Sequence, residues 1–197
     1  HAAELGKGGQ EQPLIFSKPT NALVEADGRV IHYPSDQGEI HHEVELVLYI
    51  GQDIIDEDFK VDDVVTKMAL GVDLTLRDVQ SELKKKGHPW LLAKGFKNSA
   101  IVTDFWDFPG AAACKEKDFS LRQGENIMQT GNMASMIFPV QALLSYLQTH
   151  FGLRKGDLIF TGTPEGVGPI RDGAKYELWW GDDLKGCFRA SLSGEKE

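Results

Sequence analysis

Between His41 and Gly51 the chain reads H-H-E-V-E-L-V-L-Y-I-G, and Val44, Leu46, Leu48 and Ile50 place an apolar residue at every second position. Strand side chains alternate between two faces, so this spacing and the Val, Leu, Tyr and Ile content predict a β-strand. Its other face carries Glu43 and Glu45, with Cα atoms roughly 6.5 Å apart. A second period-two segment follows, in which Val72, Leu74 and Leu76 alternate with Asp73, Thr75 and Arg77; it predicts a half-buried strand with three polar groups on one face. Upstream, Leu14, Ile15 and Phe16 predict a short buried strand stopped by Pro19, since proline donates no ladder hydrogen bond. Residues 28–32 predict another strand, and the polar, glycine-rich residues 1–12 a lead-in.

Helical spacing appears in three places. Phe59, Val61, Val64, Val65, Met68 and Ala69 recur at mixed three- and four-residue intervals, which predicts an amphipathic helix within residues 56–70, broken by Gly71. Asp78 predicts the cap of a second helix, with Glu82 in its first turns, Lys84, Lys85 and Lys86 near its end and Gly87 as the stop. Met136, Val140, Leu143, Leu144, Leu147 and Phe151 predict a third, ended by Gly152, with Pro139 in its first turn. Residues 98–130 carry no assignable period. Residues 157–160, 176–180 and 187–192 predict closing strands.

Composition narrows the function. A chain of 197 residues with 41% apolar and 26% charged residues is expected to form one domain, residues 1–197, and no apolar run approaches the roughly 20 residues of a membrane span. The formal charge of -9 argues against a nucleic-acid partner, because phosphate binding relies on clustered Lys and Arg. Two cysteines, Cys114 and Cys187, suit neither a disulfide framework nor a zinc site and fit a reducing compartment.

The candidate chemistry lies in the polar faces. Glu43, Glu45 and Asp73 each come from a segment whose opposite face is apolar, so they are able to converge on Mg²⁺ or Mn²⁺, or on Ca²⁺ in a looser cage; spacing alone fits a solvated polar face equally well. Arg77 and Gln80 are placed to bind a carboxylate near such a cation, or Arg77 is a surface partner of Asp78. Lys94 is either a surface lysine or a buried ammonium in need of an anion. The turn from Thr161 to Gly168 is glycine-rich but lacks the Gly-Lys-Ser/Thr of a P-loop, which leaves a hydroxyl-lined substrate loop that includes Thr163. His1 and Glu4 have the spacing of a base held by a carboxylate on one helical turn, an arrangement that also arises by coincidence at a terminus.

Taken in order, H-H-E-V-E-L (41–46), D-L-T-L-R-D-V-Q (73–80), K-K-K-G-H-P-W-L-L-A-K (84–94) and T-G-T-P-E-G-V-G (161–168) resemble the fumarylacetoacetate hydrolase family, and in particular its small single-domain acylpyruvase branch. Phe16-Ser17-Lys18-Pro19 is similar to that branch's F-x-K-P. The resemblance implies an α+β fold, a mixed β-sheet rolled into a sandwich-like barrel with a few peripheral helices, and a homodimer. It implies metal ligation by Glu43, Glu45 and Asp73, substrate contacts from Arg77, Gln80, Lys94 and Thr163, and a catalytic dyad of His1 and Glu4, with Lys94 also catalytic. The chain as given opens at that histidine, without the short strand and the N-Y-x-x that usually precede it, and residues 111–130 follow the family loosely, near Gly124-Glu125 and Gln129. The implied reaction is metal-dependent hydrolysis of the C–C bond of acylpyruvates such as fumarylpyruvate. Its alternatives are oxaloacetate decarboxylation or keto–enol tautomerisation at the same site, and then a non-catalytic ligand-binding relative. The expected partner is a small 2-oxo acid, and the expected location the cytoplasm, or the mitochondrial matrix in a eukaryote.

Overall fold

The computed structural model describes residues 12–56 and 58–193. In chain order its strands are β1 (Leu23–Glu25), β2 (Asp27–His32), β3 (Ile40–His42), β4 (Val44–Ile50), β5 (Val65–Asp73), β6 (Thr75–Leu76), β7 (Ala100–Val102), β8 (Trp106–Asp107), β9 (Asp118–Gln123), β10 (Asn126–Asn132), β11 (Leu158–Phe160), β12 (Gly168–Pro169), β13 (Lys175–Trp180) and β14 (Asp183–Ser191). The α-helices are α1 (Val61–Val64), α2 (Arg77–Lys86), α3 (Leu91–Lys94), α4 (Ala111–Cys114) and α5 (Val140–Phe151).

Among the described residues these strands form three sheets. One has the order β1-β7-β5-β4-β11, with β8 also on β5; the second runs β10-β9-β13-β14-β2; the third is the short β12-β3-β6. The first two are mixed, since β1 pairs parallel to β7 and β14 parallel to β2 among otherwise antiparallel neighbours. Val44, Leu46, Leu48, Met68 and Leu70 of the first sheet join Phe119, Leu121, Tyr176, Leu178 and Phe188 of the second in one buried cluster. The result is an α+β sandwich whose sheets do not close into a true barrel, and among the described residues no helix is long and apolar enough to cross a membrane.

The central pair is β4 with β5. Its register sets Val44 opposite Val72 and Glu45 opposite Gly71, and a hydrogen bond of 2.8 Å from Asp73 N–H to Glu43 C=O carries the alignment one step further. Gly71 is required by packing: a Cβ there would lie 2.5 Å from Phe160 Cε1 and 2.7 Å from Val47 Cγ2. It lies inside the strand and does not end a helix.

The helix predicted over 56–70 is therefore replaced by the single turn α1 and the long strand β5. The run from Met68 to Asp73 is buried without interruption, so its apolar residues follow no strand alternation, and the mixed spacing imitates a helix. The predicted strand at 14–16 is also absent. Leu14, Ile15 and Phe16 are half-exposed, and Phe16 packs on Trp90 with ring centroids 6.0 Å apart. Helix α2 forms as expected and stops at Gly87 (φ 67°), but Asp78 is not its cap: Asp78 Oδ2 accepts the Glu39 N–H at 2.8 Å. Helix α5 buries Val140, Leu143, Leu144 and Leu147, with Pro139 just before its first turn.

Candidate active site

The expected acidic strand is interrupted at Glu43, which occupies the one-residue step between β3 and β4. The interruption leaves the two glutamates together. Glu43 and Glu45 turn inward with Asp73 from the neighbouring strand, and one ligand oxygen from each lies within 4.8 Å of the others. All three are at most 5% exposed. A solvated polar face is excluded by that burial.

Three cationic side chains close on the triad. Lys94, at the end of the single turn α3, is 2% exposed and donates to Glu43 Oε2 (2.8 Å), Asp73 Oδ2 (2.7 Å) and Thr75 Oγ1 (2.6 Å), which uses every proton of its ammonium. Arg77, at the first turn of α2, donates from Nη2 to Glu43 Oε1 (2.7 Å), from Nη1 to Gln80 Oε1 (2.7 Å) and from Nε to His41 Nδ1 (3.3 Å). It pairs with the triad rather than with Asp78. Lys18 Nζ lies 2.7 Å from Asp73 Oδ1 and donates to Ser99 Oγ (3.0 Å) and to the carbonyl oxygen of Lys94.

These contacts set the ionisation of the site. Burial works against the charge on Lys94, but Asp73 and Glu43 outweigh it and hold the ammonium above its ordinary pKa. Burial likewise works against the Glu43 carboxylate and is outweighed by Lys94 and Arg77, so that Glu43 stays below the usual range. For Asp73 burial prevails over Lys94 and Lys18, and the group is raised. Glu45 is the extreme case, pushed up to about 8 by burial first and then by the charges of Asp73 and Glu43; it accepts a hydrogen bond from Gly162 N–H at 2.7 Å. Among the described residues Asp73 Oδ1 accepts no well-aligned hydrogen bond despite the nearness of Lys18. Three converging carboxylates, one of them short of positive charge and another with an unmatched lone pair, form an all-oxygen donor set that fits a hard divalent cation.

Of the residues singled out in the sequence, Glu43, Glu45, Asp73, Arg77, Gln80 and Lys94 are joined in this one network. Gln80 is 3% exposed, and with its Oε1 accepting from Arg77 its NH₂ end is left to donate. Thr163 reaches the network through its loop, whose neighbouring Gly162 binds Glu45. His1 and Glu4 lie outside the described residues. The structure adds Lys18, His42 and Gln129. A lysine one residue before Pro19 carries no periodic signal, and Gln129 lies in the stretch without an assignable period. The family-like segments contain Lys18, His42 and Gln129 without giving them a role; their contacts and burial in the tertiary structure do so.

Residues 1–190 match the sequence profile of the fumarylacetoacetate (FAA) hydrolase C-terminal domain. Among curated proteins, the oxaloacetate tautomerase YcgM of Escherichia coli is 37% identical over 177 residues, 88% of this chain and 80% of that protein. The mitochondrial oxaloacetate decarboxylase of Dictyostelium discoideum is 37% identical over 174 residues, again 88% of this chain and 80% of the relative. Among solved structures, the fumarylpyruvate hydrolase of Pseudomonas aeruginosa in complex with Mn²⁺ and pyruvate superposes with a TM-score of 0.87 at 32% identity, covering 98% of this chain and 85% of the other.

Proposed function

The chain belongs to the fumarylacetoacetate hydrolase family, and on that premise we propose that it is a divalent-metal-dependent enzyme acting on oxaloacetate or a closely similar 2-oxo acid, with keto–enol tautomerisation as its reaction. The observation that carries the reading is the closure of Glu43, Glu45 and Asp73 to within 4.8 Å, with the Lys94 ammonium bonded to two of them. Relatives named as tautomerase and decarboxylase of oxaloacetate support that substrate. They move the emphasis away from acylpyruvate hydrolysis, the first expectation from the motifs.

Tautomerisation takes a proton from the carbon next to the 2-oxo group and returns one to the oxo oxygen, with no change in composition. A Mg²⁺ or Mn²⁺ ion held by Glu43, Glu45 and Asp73 would supply Lewis acidity toward the 2-oxo acid. The residues of the chain do the rest. Lys94 is held as an ammonium, so it acts as a fixed positive charge that stabilises a developing enolate and is unsuited to take up the proton. Arg77 is locked in its plane by Glu43, Gln80 and His41, and it presents a guanidinium edge together with the Gln80 amide to a substrate carboxylate. Thr163 adds a hydroxyl. His1, held by Glu4, is proposed as the group that moves the carbon-bound proton, in keeping with the family resemblance.

A second reading is kept because the Mn²⁺- and pyruvate-bound structural relative is a fumarylpyruvate hydrolase. In it His1 activates water, and pyruvate departs as an enolate toward the same Lys94. The test is direct: the chelated protein, then the protein with Mg²⁺ or Mn²⁺, is given enol-oxaloacetate and, in a separate reaction, fumarylpyruvate, with ketonisation followed by ultraviolet absorbance and pyruvate release measured from both. Metal-dependent ketonisation without pyruvate is the expected result. Metal-dependent pyruvate release from fumarylpyruvate, with no effect on ketonisation, overturns the proposal in favour of hydrolysis.

A further inference from the structure

Beneath the substrate loop lies a buried polar chain that the proposed chemistry does not yet use. Gln129, on β10 and 2% exposed, touches both the acidic strand and the loop. Its Oε1 is 3.0 Å from the N–H of Val44, the residue between Glu43 and Glu45, and 2.8 Å from His42 Nδ1. A backbone N–H only donates, so the amide atom facing Val44 is the oxygen. His42 must then donate from Nδ1, which defines its tautomer, and the Gln129 NH₂ must face the other way. There it donates to Thr163 Oγ1 at 2.9 Å and to the Pro164 carbonyl at 3.1 Å.

The consequence concerns the Thr163 proton. The loop backbone is already tied to the acidic strand by Gly162 N–H on Glu45 and by Thr161 on the Leu46 carbonyl, at 3.1 Å from N and 3.0 Å from Oγ1. It also rests against β10, because a Cβ at Gly166, which has φ of 93°, would lie 2.7 Å from the Met128 carbonyl oxygen. With the backbone held, rotation of the hydroxyl is the remaining freedom. A Gln129 that donates to Thr163 Oγ1 occupies one of its lone pairs and turns its proton outward as a donor. We propose that Gln129, held by His42 and the Val44 N–H, is a positioning residue that presents the Thr163 hydroxyl as a hydrogen-bond donor to the carboxylate of the 2-oxo acid. This rests on the reading of the site as one for such acids.

The probe is oxalate, whose planar pair of carboxylates copies the oxygens of a pyruvate enolate. Its affinity is measured by calorimetry in the presence of Mg²⁺ for wild type, Gln129→Met, Thr163→Val, the double variant and Thr163→Ser. Loss of a hydrogen bond to a charged group is expected to weaken oxalate about tenfold in either single variant. The double variant falls no more than about twofold further, since both substitutions remove one donor, and Thr163→Ser stays near wild type. In turnover Gln129→Met, Thr163→Val and the double variant raise KM while kcat changes little. Gln129→Glu, which keeps an acceptor for His42 and Val44, replaces Gln129→Met in the cycle if that variant fails to fold. Wild-type affinity in the Gln129 variant, or effects that multiply to about a hundredfold in the double variant, overturns the assignment. Oxalate binding by a wild type that does not ketonise oxaloacetate defeats the proposed function and leaves the relay testable; a wild type that binds no oxalate defeats both.

Discussion

Binding of the metal should release a proton, and Glu45 sets how much. In the metal-free site this carboxyl is pushed up to about 8 by burial and by the neighbouring Asp73 and Glu43. At pH 7, one unit lower, about nine-tenths of it carries a proton. A divalent cation favours the carboxylate, so loading at pH 7 releases on the order of one proton, and the apparent affinity rises about tenfold per pH unit between pH 6 and 7 before levelling above 8. Asp73, also raised, adds in the same direction at lower pH. The sign for stability follows. A carboxyl whose pKa is higher folded than unfolded favours the folded state while protonated, so the metal-free protein loses stability, by up to about 1.4 kcal/mol per pH unit, as pH climbs from about 4.5 toward 8. The loaded protein is spared that loss. Titration calorimetry with Mn²⁺ in buffers of different ionisation enthalpy measures the released proton, and thermal melts with and without metal follow stability. Identical binding enthalpies in every buffer, together with one affinity at pH 6 and pH 8, would refute the argument.

Two further outcomes are expected. Gly71→Ala forces a Cβ into Phe160 and Val47 at the centre of the first sheet, and should cost about 1–3 kcal/mol in denaturant unfolding; an unchanged midpoint would mean that the sheet yields at no cost. Lys94→Met removes the ammonium that balances Glu43 and Asp73, and should lower kcat about a hundredfold or more while the folded protein still binds Mn²⁺, read by electron paramagnetic resonance. Near-normal kcat in that variant would remove Lys94 from the chemistry.

Local pattern alone determined several elements. The alternation of Val44, Leu46, Leu48 and Ile50 with Glu43 and Glu45 makes β4 legible although both of its faces are buried, and the spacing of Val140, Leu143, Leu144 and Leu147 builds α5, whose one apolar face is buried. The period failed where a buried strand carries apolar residues on both faces. From Met68 to Asp73 nothing alternates, and the strand imitated a helix. Leu14, Ile15 and Phe16 failed for the opposite reason: a short apolar run carries no information about whether a neighbouring strand exists to receive it.

The chemistry divides along the same line. Glu43, Glu45 and Asp73 are candidates from the sequence because strand geometry limits where neighbouring carboxylates point. That they meet depends on the register of β4 against β5, which aligns Glu43 with Asp73 across residues some thirty positions apart. Whether Lys94 is a surface lysine or a buried ammonium, and whether Arg77 serves Asp78 or Glu43, were open choices in one dimension. Tertiary structure decided both, because burial makes an unpaired charge costly and so selects the partner that lies within reach. Lys18 and Gln129 are visible in the family-like segments, but their roles come from groups brought to them from distant segments, Lys18 meeting Asp73 and Gln129 meeting His42, Val44 and Thr163.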